Sequence, residues 1–434
     1  MINRYLAVIS VDALVTEDLP DLLALENSAA LFRHCACVEK METVYPSLTH
    51  PVHASLISGC ACGKTGVVHN ERFEPFADEP TWYNQLSDIR CETVFHTAHR
   101  HGLTSCAARW PVTARGNDII DYIVPEVLDS DLAGGVDMET ALIRGGAEPV
   151  LEDIVRPNLF LLNGNSRPGY DAFSAACAAD IVRRYKPNLL FTHWGMVDSA
   201  RHRHGVFGPH IQDALKWIDK WVGWLADAYR DAGISEQTDF ILLSDHGLLN
   251  VRRKVRLNAL FLKHGLIKVD ATKRIISWDV FAVGGGLSAH VYLRDRNNEA
   301  LYYRVRDLLT KLLPDECGGF FQILTADEAR KNYGLYDGFS FVLETDGRTL
   351  FEDELREPWV WDPPPEDAHA ICAAHGHMPH KGSQPPFLAA GPSFLPGKSL
   401  ENGSILDVAP SIATVMGFEL PEAEGKPMRE IMRI

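Results

Sequence analysis

The sequence predicts an α/β protein with a mainly parallel central sheet. The continuous apolar run YLAVISV (residues 5–11) is typical of a strand that is buried on both faces of a parallel sheet, and NLLFTHW (188–194) predicts a further strand. Amphipathic helical patterns at 170–185 and 209–229 alternate with these runs. Helices and buried strands in alternation favour a sheet covered by helices on its two faces.

Residues 254–365 have a different character. Two strand patterns, LSAHVYLRD and FSFVLETD, accompany a helical pattern at 299–313, and the carboxylates at their ends do not fit the arrangement of strand-end residues in the rest of the chain. This pattern is typical of an inserted α+β unit. We therefore expect a core of residues 1–253 and 366–434 with a cap at 254–365.

Composition excludes several classes of protein. The 434 residues are 46% hydrophobic, with a formal charge of −16 and a pI near 5.5. A large core is therefore possible, whereas binding to duplex nucleic acid or to an anionic membrane is disfavoured. No run reaches the roughly 18 to 20 apolar residues that cross a bilayer, and the first residues lack the features of a secretory leader. The nine cysteines lack zinc-knuckle spacing, so we expect free thiols and a cytoplasmic protein.

The stretch YPSLTHPVHASLISG (45–59) predicts a short helix that begins near Thr49. Pro51 suits a first helical position and Gly59 a helix end. The N-terminus of a helix offers free N–H groups and a positive dipole, which attract anions. Thr49 could therefore meet a phosphate and act as a nucleophile; a plain helix cap is the alternative.

Asp12 directly follows the first predicted strand. In open α/β sheets ligands gather at the carboxyl ends of the strands, so this carboxylate is a candidate metal ligand. Asn70 could donate its amide to a developing negative charge, or it could simply form a turn.

The segment between these residues and the next predicted strand is less regular. Residues 81–102 predict a helix and 104–111 a strand that runs into a proline. Residues 112–170, rich in Gly and Asp, suggest a decorated loop that forms part of a pocket wall.

Asp198 and His202 follow the predicted strand at 188–194. They are four residues apart, so on a helix they would lie on one face and could share a metal ion. His204 is the alternative imidazole, and a surface ion pair is the simpler explanation.

Asp245 and His246 stand at the end of the strand pattern at 240–243. Gly247 then permits a sharp turn, so both side chains could face one ligand.

A late loop carries three histidines among glycines and prolines: His375, His377 and His380. We expect at most one or two of them to bind a metal ion. A returning strand in PPFLAAGPSF follows, and then a closing helix that begins at Asp407 and ends near Gly417.

Together these candidates supply three carboxylates and three imidazoles, from Asp12, Asp198, His202, Asp245, His246 and one loop histidine. One carboxylate with two imidazoles would make one site; two carboxylates, one imidazole and the Thr49 hydroxyl would make the other. Mixed N and O ligands in four-coordinate sites suit zinc best. Two metal ions about 3.5 to 4 Å apart can hold the attacking and leaving oxygens of a phosphoryl displacement.

The order of these motifs resembles the alkaline phosphatase superfamily, and most closely its nucleotide pyrophosphatase/phosphodiesterase (type I phosphodiesterase) family. The matching elements are a strand-end Asp, a Thr in a YPTxTxPNH-like motif, Asn70, Asp-x-x-x-His, Asp-His-Gly and a late Gly-x-His. Trp110-Pro111 and EGKPM near the end extend the likeness. The resemblance implies an alkaline-phosphatase-like three-layer α/β/α sandwich and two metal ions, most often zinc.

The resemblance also implies roles. Thr49 would be the nucleophile and Asn70 the donor to the oxyanion. One zinc would be held by Asp198, His202 and His377, and the other by Asp12, Asp245 and His246 with Thr49 approaching it. His377 is chosen because Gly376-His377 matches the family's Gly-x-His-Gly. Met378 departs from that pattern, so His375 and His380 are the other candidates.

Substrate choice is less constrained. His50 and Trp110 are the implied substrate-binding residues, but this family commonly has an aromatic residue after its nucleophile and an Asn where Val52 stands. The expected substrate is a small phosphate diester or a nucleotide pyrophosphate, hydrolysed through a phospho-threonine intermediate. A phosphonoacetate hydrolase-like enzyme that cleaves C–P bonds is an alternative. So is a phosphomonoesterase, for which Arg201 or Arg203 could hold the extra charge. A non-catalytic metal-binding protein is the rival from another class.

Overall fold

The computed structural model describes residues 4–77, 80–317, 322–364 and 371–433. Its strands, in chain order, are β1 Tyr5–Val11, β2 Ala36–Glu42, β3 Ser105–Ala108, β4 Tyr122–Val124, β5 Leu189–Trp194, β6 Thr238–Leu243, β7 Leu249–Asn250, β8 Arg253–Arg256, β9 Ile267–Val269, β10 Ile275–Trp278, β11 Val280–Gly285, β12 Ser288–Leu293, β13 Gln322–Thr325, β14 Phe341–Glu344, β15 Thr349–Glu352, β16 Val360–Trp361, β17 Ala373–Ala374, β18 Phe387–Ala390 and β19 Ser399–Ser404. The α-helices are α1 Leu19–Leu22, α2 Glu26–Phe32, α3 Thr49–Ser58, α4 Cys62–Thr65, α5 Val94–Arg100, α6 Met138–Leu142, α7 Arg156–Asn158, α8 Gly169–Tyr185, α9 Met196–His204, α10 Pro209–Asp231, α11 Leu257–Lys263, α12 Glu299–Cys317, α13 Ala326–Tyr333 and α14 Val408–Met416.

Eight strands form the central sheet in the order β19-β2-β18-β6-β1-β5-β3-β4. Seven of these strands run in one direction, and β18 runs antiparallel to its neighbours β2 and β6. The prediction of a mainly parallel central sheet is confirmed.

Successive residues of β1 belong to two different hydrophobic cores. Leu6 and Val8 pack with residues of α3, α5 and α14 on one face of the sheet. Ala7 and Ile9 pack with residues of α2, α8 and α10 on the other. The alternation follows from the two-residue period of a strand. The core is therefore a three-layer α/β/α sandwich, as the family resemblance implies.

Long helices match the predictions closely. The patterns at 170–185 and 209–229 are α8 and α10. Asp407 is the N-cap of α14, and Gly417 ends that helix with a left-handed φ of 80°.

The structure differs from the prediction in two segments. Of the helix expected at 81–102, the α-helical part is α5, because Thr93 caps its start with Oγ1 2.8 Å from Nδ1 of His96. The expected loop at 112–170 contains the edge strand β4 as well as α6 and α7. Three residues of strand and short helical turns are too brief to show a clear period in the sequence.

Between β6 and β18 the chain leaves the central sheet. It forms a four-stranded antiparallel sheet, β11-β12-β14-β13, and a three-stranded sheet, β15-β8-β16. The strands expected in LSAHVYLRD and FSFVLETD are β12 and β14, and the expected helix is α12. Phe281 and Val291 of this unit share a hydrophobic core with Leu6. The unit therefore packs on one face of the sandwich; its limits at 254 and 365 stay a prediction, and residue 365 lies outside the described residues.

Two observations bear on the environment of the protein. Each of the eight cysteines whose side chain the structure describes is a free thiol. None of the described helices combines the length and the apolar character needed to span a bilayer. The cytoplasmic location stays a prediction.

Candidate active site

The candidate site lies at the edge of the central sheet where the parallel strands end. The neighbouring strands β6 and β1 lead directly to Asp245 and Asp12, and β5 leads through Gly195 into α9, which carries Asp198. Strand β18 runs the opposite way, so the loop before it, which carries His375, reaches the same edge. Strand order thus brings together residues that are far apart in the chain.

One cluster of potential metal ligands, the α9 group, consists of Asp198, His202 and His375, whose ligand atoms lie within 4.8 Å of one another. Oδ1 of Asp198 is 3.2 Å from Nε2 of His202 and 3.9 Å from Nε2 of His375. Nδ1 of His202 is 2.7 Å from the Ala373 carbonyl, and Nδ1 of His375 is 3.2 Å from the Ser47 carbonyl. These backbone contacts fix each ring with Nε2 toward Asp198.

The second cluster, the β1–β6 group, consists of Asp12, Asp245 and His246. Nε2 of His246 is 3.2 Å from Oδ2 of Asp245 and 3.6 Å from Oδ1 of Asp12. The other Asp245 oxygen accepts the backbone N–H of Ala13 at 3.1 Å. The rings of His246 and His375 stack with centroids 4.1 Å apart, so the two groups adjoin.

Thr49 lies beside the β1–β6 group. It is the first residue of α3, and its Oγ1 is 3.3 Å from Nε2 of His246. Pro51 is the third helical residue rather than the first, but it still lies in the turn whose N–H groups have no intrahelical partner. Gly59 ends the helix with a left-handed φ of 69°. The N-terminus of α3 therefore presents the hydroxyl beside the β1–β6 group.

Asn70 is fixed against the same helix. Its Oδ1 accepts the backbone N–H of His50 at 3.0 Å. The Nδ2 amide is then the donor that this side chain can offer to the cavity it lines.

The buried carboxylates of the two groups fit divalent cations. Oδ1 of Asp12, Oδ1 of Asp198 and Oδ2 of Asp245 are buried and make no hydrogen bond to the residues that the structure describes. Burial, and then the charge of Asp245, raise the pKa of Asp12 well above its usual range. Burial raises the pKa of Asp245 to about 7. Unpaired buried carboxylates are costly, and a bound metal ion removes that cost.

Electrostatics differ in the α9 group. Burial alone would raise the pKa of Asp198, but the neighbouring His202 imidazole outweighs it and holds that pKa below its usual range. Burial lowers the pKa of His375 to about 4, so this ring is neutral near pH 7 and its Nε2 can act as a ligand.

A cavity of about 620 Å³ opens in front of Thr49, Asn70 and the α9 group. His50 and Trp82 form one wall, with their rings in an edge contact at 5.0 Å. Nε2 of His50 lies 3.3 Å from Oε2 of Glu126, which also lines the cavity. A phosphoryl group and one substituent could enter this space beside both groups.

Comparisons with known proteins identify the family of this chain. Residues 6–363 match the family model described as type I phosphodiesterase / nucleotide pyrophosphatase. The chain belongs to this family.

Individual relatives of this phosphodiesterase family are distant. Ectonucleotide pyrophosphatase/phosphodiesterase family member 1 of Rattus norvegicus is 25% identical over 229 residues, which cover 50% of this chain and 21% of the relative. The chain spans only 20 to 21% of the family member 1 proteins it matches in rat, mouse and human. Bis(5'-adenosyl)-triphosphatase ENPP4 of Homo sapiens is 22% identical over 404 residues, 88% of this chain and 71% of the relative.

Solved structures support the fold of this family member. Murine ectonucleotide pyrophosphatase/phosphodiesterase 5, an inactive variant in complex with AMP, matches 99% of this chain and 100% of its own. The TM-score is 0.69 and the identity 17%. The human protein of the same name matches with the same TM-score. This likeness confirms the expected fold.

The structure corrects the choice of loop histidine in this phosphodiesterase-family chain: His375, not His377, joins the α9 group. Gly376 turns the chain with φ 90°, and a Cβ there would lie 1.8 Å from the Gly285 carbonyl oxygen. His377 is buried outside both groups, with Nδ1 2.9 Å from the Met378 carbonyl, and His380 is exposed. The pair His375-Gly376 repeats His246-Gly247, a signal that could have identified it.

Trp110 is the second correction. It is 1% exposed, packs edge-on against His53 and Phe191 at 4.9 and 5.0 Å, and does not line the cavity. The preceding Arg109 has a left-handed φ of 58°, which turns Trp110 into the core while Arg109 lines the cavity.

The other candidate residues near α9 lie outside the site. Among the alternatives near α9, His204 is exposed. Arg201 is fully buried against Asp18, and Arg203 is exposed; neither lines the cavity.

Sequence reasoning missed several cavity residues, namely Trp82, Arg109, Glu126, Arg167 and His193. Arg109 directly follows β3, so the rule that selects Asp12 also points to it. Glu126 follows β4, a strand that the sequence did not reveal.

Proposed function

We propose that this protein is a two-metal hydrolase of phosphate diesters or nucleotide pyrophosphate-type substrates, with zinc as its metal. The observation that carries the proposal is the position of Thr49 Oγ1. It lies 3.3 Å from Nε2 of His246, at the start of α3 and on the cavity that the α9 group also lines. The names of the relatives, and the AMP bound to the murine structure, favour a small nucleotide-like phosphate ester.

The ligand sets support zinc. The α9 group offers one carboxylate and two imidazoles, and the β1–β6 group offers two carboxylates and one imidazole beside the Thr49 hydroxyl. Mixed N and O donors of this kind favour zinc over magnesium or calcium, which prefer oxygen alone. When bound, two zinc ions would neutralise the phosphoryl oxygens and lower the pKa of the attacking hydroxyl and of water.

In the first step the Thr49 hydroxyl releases its proton to solvent and Oγ1 forms a bond to phosphorus. The bond from phosphorus to the leaving oxygen breaks on the opposite side, and the leaving alkoxide takes a proton from solvent. The first N–H groups of α3 and the amide of Asn70 donate to the phosphoryl oxygens as their charge grows. Water then attacks phosphorus, the bond to Oγ1 breaks, and the Thr49 hydroxyl is restored.

The test compares four substrates with the zinc-loaded protein: bis-p-nitrophenyl phosphate, p-nitrophenyl phosphate, the p-nitrophenyl ester of thymidine 5'-monophosphate, and phosphonoacetate. We expect the two diesters to react fastest. Thr49→Ala should lower their turnover about 1000-fold or more while two metal ions stay bound, and Thr49→Ser should retain a measurable part.

Two results would contradict this proposal. Diester turnover by Thr49→Ala would remove Thr49 as the nucleophile. Hydrolysis of phosphonoacetate alone would change the substrate class from phosphate esters to C–P bonds.

A further inference from the structure

The cavity has a cationic wall that the catalytic residues do not use. Arg109 and Arg167 line it together with Asn165 and Tyr170. Arg109 is 2% exposed, whereas the Arg167 side chain is 26% exposed. Arg167 is therefore the cation of this wall that a ligand can reach.

Arg167 lies against the turn that leads into the metal-binding helix. A methyl group added at Gly195 would lie 2.3 Å from Nη2 of Arg167, so the guanidinium occupies the space that a side chain there would fill. Gly195 stands between β5 and α9, three residues before Asp198. The guanidinium thus sits beside the α9 group.

The Asp171 carboxylate contacts both arginines. It is fully buried, accepts a hydrogen bond from Nη1 of Arg109, and lies 3.5 Å from Nε of Arg167. Arg109 also stacks over the Tyr170 ring, 4.2 Å from its centroid. The carboxylate lies on the core side, so Arg167 presents positive charge to the cavity.

Nearby carboxylates on the cavity wall have other partners. Glu126 lies 3.3 Å from His50 and 3.9 Å from Arg109. Asp129 accepts a hydrogen bond from Asn165 at 2.9 Å. Arg167 makes no hydrogen bond to any residue in the described ranges, although it lies in a half-buried position where one is expected.

We propose that Arg167 binds a second anionic group of the substrate, a phosphate or a carboxylate attached next to the reacting phosphorus. A guanidinium donates two parallel N–H bonds to either group, and such charge-assisted pairs are among the strongest hydrogen bonds in proteins. This inference rests on the proposed function, because it assumes that the phosphoryl group binds beside Thr49. It narrows the substrate to one with two neighbouring anionic groups.

Binding measurements test the inference without turnover. The zinc-loaded Thr49→Ala protein is titrated with methylphosphonate, phosphonoacetate and methylenediphosphonate. The second and third ligands add a carboxylate or a phosphonate to the first, and protein metal content is measured in the same samples. We expect at least one of them to bind about tenfold or more tightly than methylphosphonate. The ligand that binds more tightly than methylphosphonate shows whether Arg167 binds a carboxylate or a phosphonate.

Variants then test whether Arg167 causes this gain in affinity. Arg167→Gln should abolish it while methylphosphonate binds as before, and Arg167→Lys should restore part of it. Arg203→Gln, at an exposed arginine of α9 that does not line the cavity, changes the net charge equally and should leave the gain in affinity intact.

The outcomes separate the two proposals. Equal binding of all three ligands, or an undiminished gain in Arg167→Gln, would overturn the role of Arg167 and leave the phosphoryl site standing. Failure of all three to bind, with two zinc ions retained, would overturn the phosphoryl site and the inference with it.

Discussion

Oγ of Ser10, in the middle of the sheet, lies 2.8 Å from Nε2 of His53. The same hydroxyl is 3.3 Å from Nδ1 of His193, whose Nε2 is 3.3 Å from Oδ2 of Asp12. Nδ1 of His53 is 2.7 Å from the carbonyl of Thr49. A buried chain of polar groups therefore joins a candidate metal ligand to the backbone of the proposed nucleophile.

The charge states of the two histidine rings decide which group donates and which accepts each hydrogen bond in this series. Burial lowers the pKa of His53 to about 3 and that of His193 well below its usual range, so both rings are neutral near pH 7. His53 donates from Nδ1 to the Thr49 carbonyl, so its Nε2 must accept the Ser10 hydroxyl proton. Ser10 can then accept from Nδ1 of His193, and Nε2 of this neutral ring accepts from the Asp12 carboxyl, whose raised pKa lets it carry a proton in the metal-free protein.

The first prediction removes the central hydroxyl. Ser10→Ala leaves Nε2 of His53 and Nδ1 of His193 unpaired in the core, which should lower the free energy of unfolding by about 1 to 3 kcal/mol. Because the chain orients Asp12 and Thr49, metal affinity or turnover should also fall about 10- to 100-fold. Urea unfolding, zinc titration and diester kinetics measure these effects.

Ser174→Ala is the matched control for this change. Its Oγ is also buried and lies 3.3 Å from the Ala108 carbonyl, but it does not belong to the series of polar groups between Asp12 and Thr49. It should cost stability and leave zinc binding and turnover unchanged. If Ser10→Ala behaved in the same way, the chain would be structural only.

The second prediction compares two histidines of one loop. His375→Ala should lower the zinc content by about one ion per chain, because it removes a ligand of the α9 group. His377→Ala should keep both ions, since its ring faces the Met378 carbonyl and belongs to neither group. Zinc content after gel filtration decides the matter, and the reverse result would restore His377 as the ligand.

Much of the site could be predicted because its residues stand at fixed points of the fold. Asp12 directly follows β1, Asp245 and His246 come two and three residues after the end of β6, and parallel strands must end at one edge. Asp198 and His202 needed only the helical period of 3.6 residues. Local sequence therefore sufficed wherever the backbone leads straight from a strand to the ligand.

The remaining residues depend on contacts that the sequence does not display. His375 is selected over His377 by the turn at Gly376, which in turn depends on the approach of Gly285 from the cap. Arg167 reaches the site because Gly195 leaves room for its guanidinium. Such packing between distant segments has no periodic signature in the chain.

The third prediction concerns the protein without metal. Burial raises the pKa of Asp245 from its ordinary 3.8 to about 7 in the folded chain. Between these two values the folded state holds a proton that the unfolded state releases, so this group lowers stability as the pH rises through that window. Bound zinc would replace the proton and remove this loss. The difference in Tm between zinc-loaded and chelator-treated protein should therefore be larger at pH 8 than at pH 5.5.

Asp245→Asn provides the comparison for this measurement. It removes the titrating group, so between pH 5.5 and pH 8 the Tm of its metal-free form should fall less, or rise more, than that of the metal-free parent. An identical pH dependence of Tm in the two metal-free proteins would contradict the assignment.

The fourth prediction concerns the buried ion pair behind the site. Arg201 is bonded to Asp18 and donates from Nε to the Ala13 carbonyl at 3.0 Å, so it ties α9 to the segment after β1. Arg201→Met leaves a buried carboxylate without its partner and should lower the free energy of unfolding by about 3 to 5 kcal/mol. Arg203→Met, two residues away and exposed, should change it by less than about 0.5 kcal/mol. Adding Asp18→Asn to Arg201→Met should recover part of the loss, since the unpaired charge is gone. Equal urea midpoints for the two single arginine variants would show that the pair does not anchor α9.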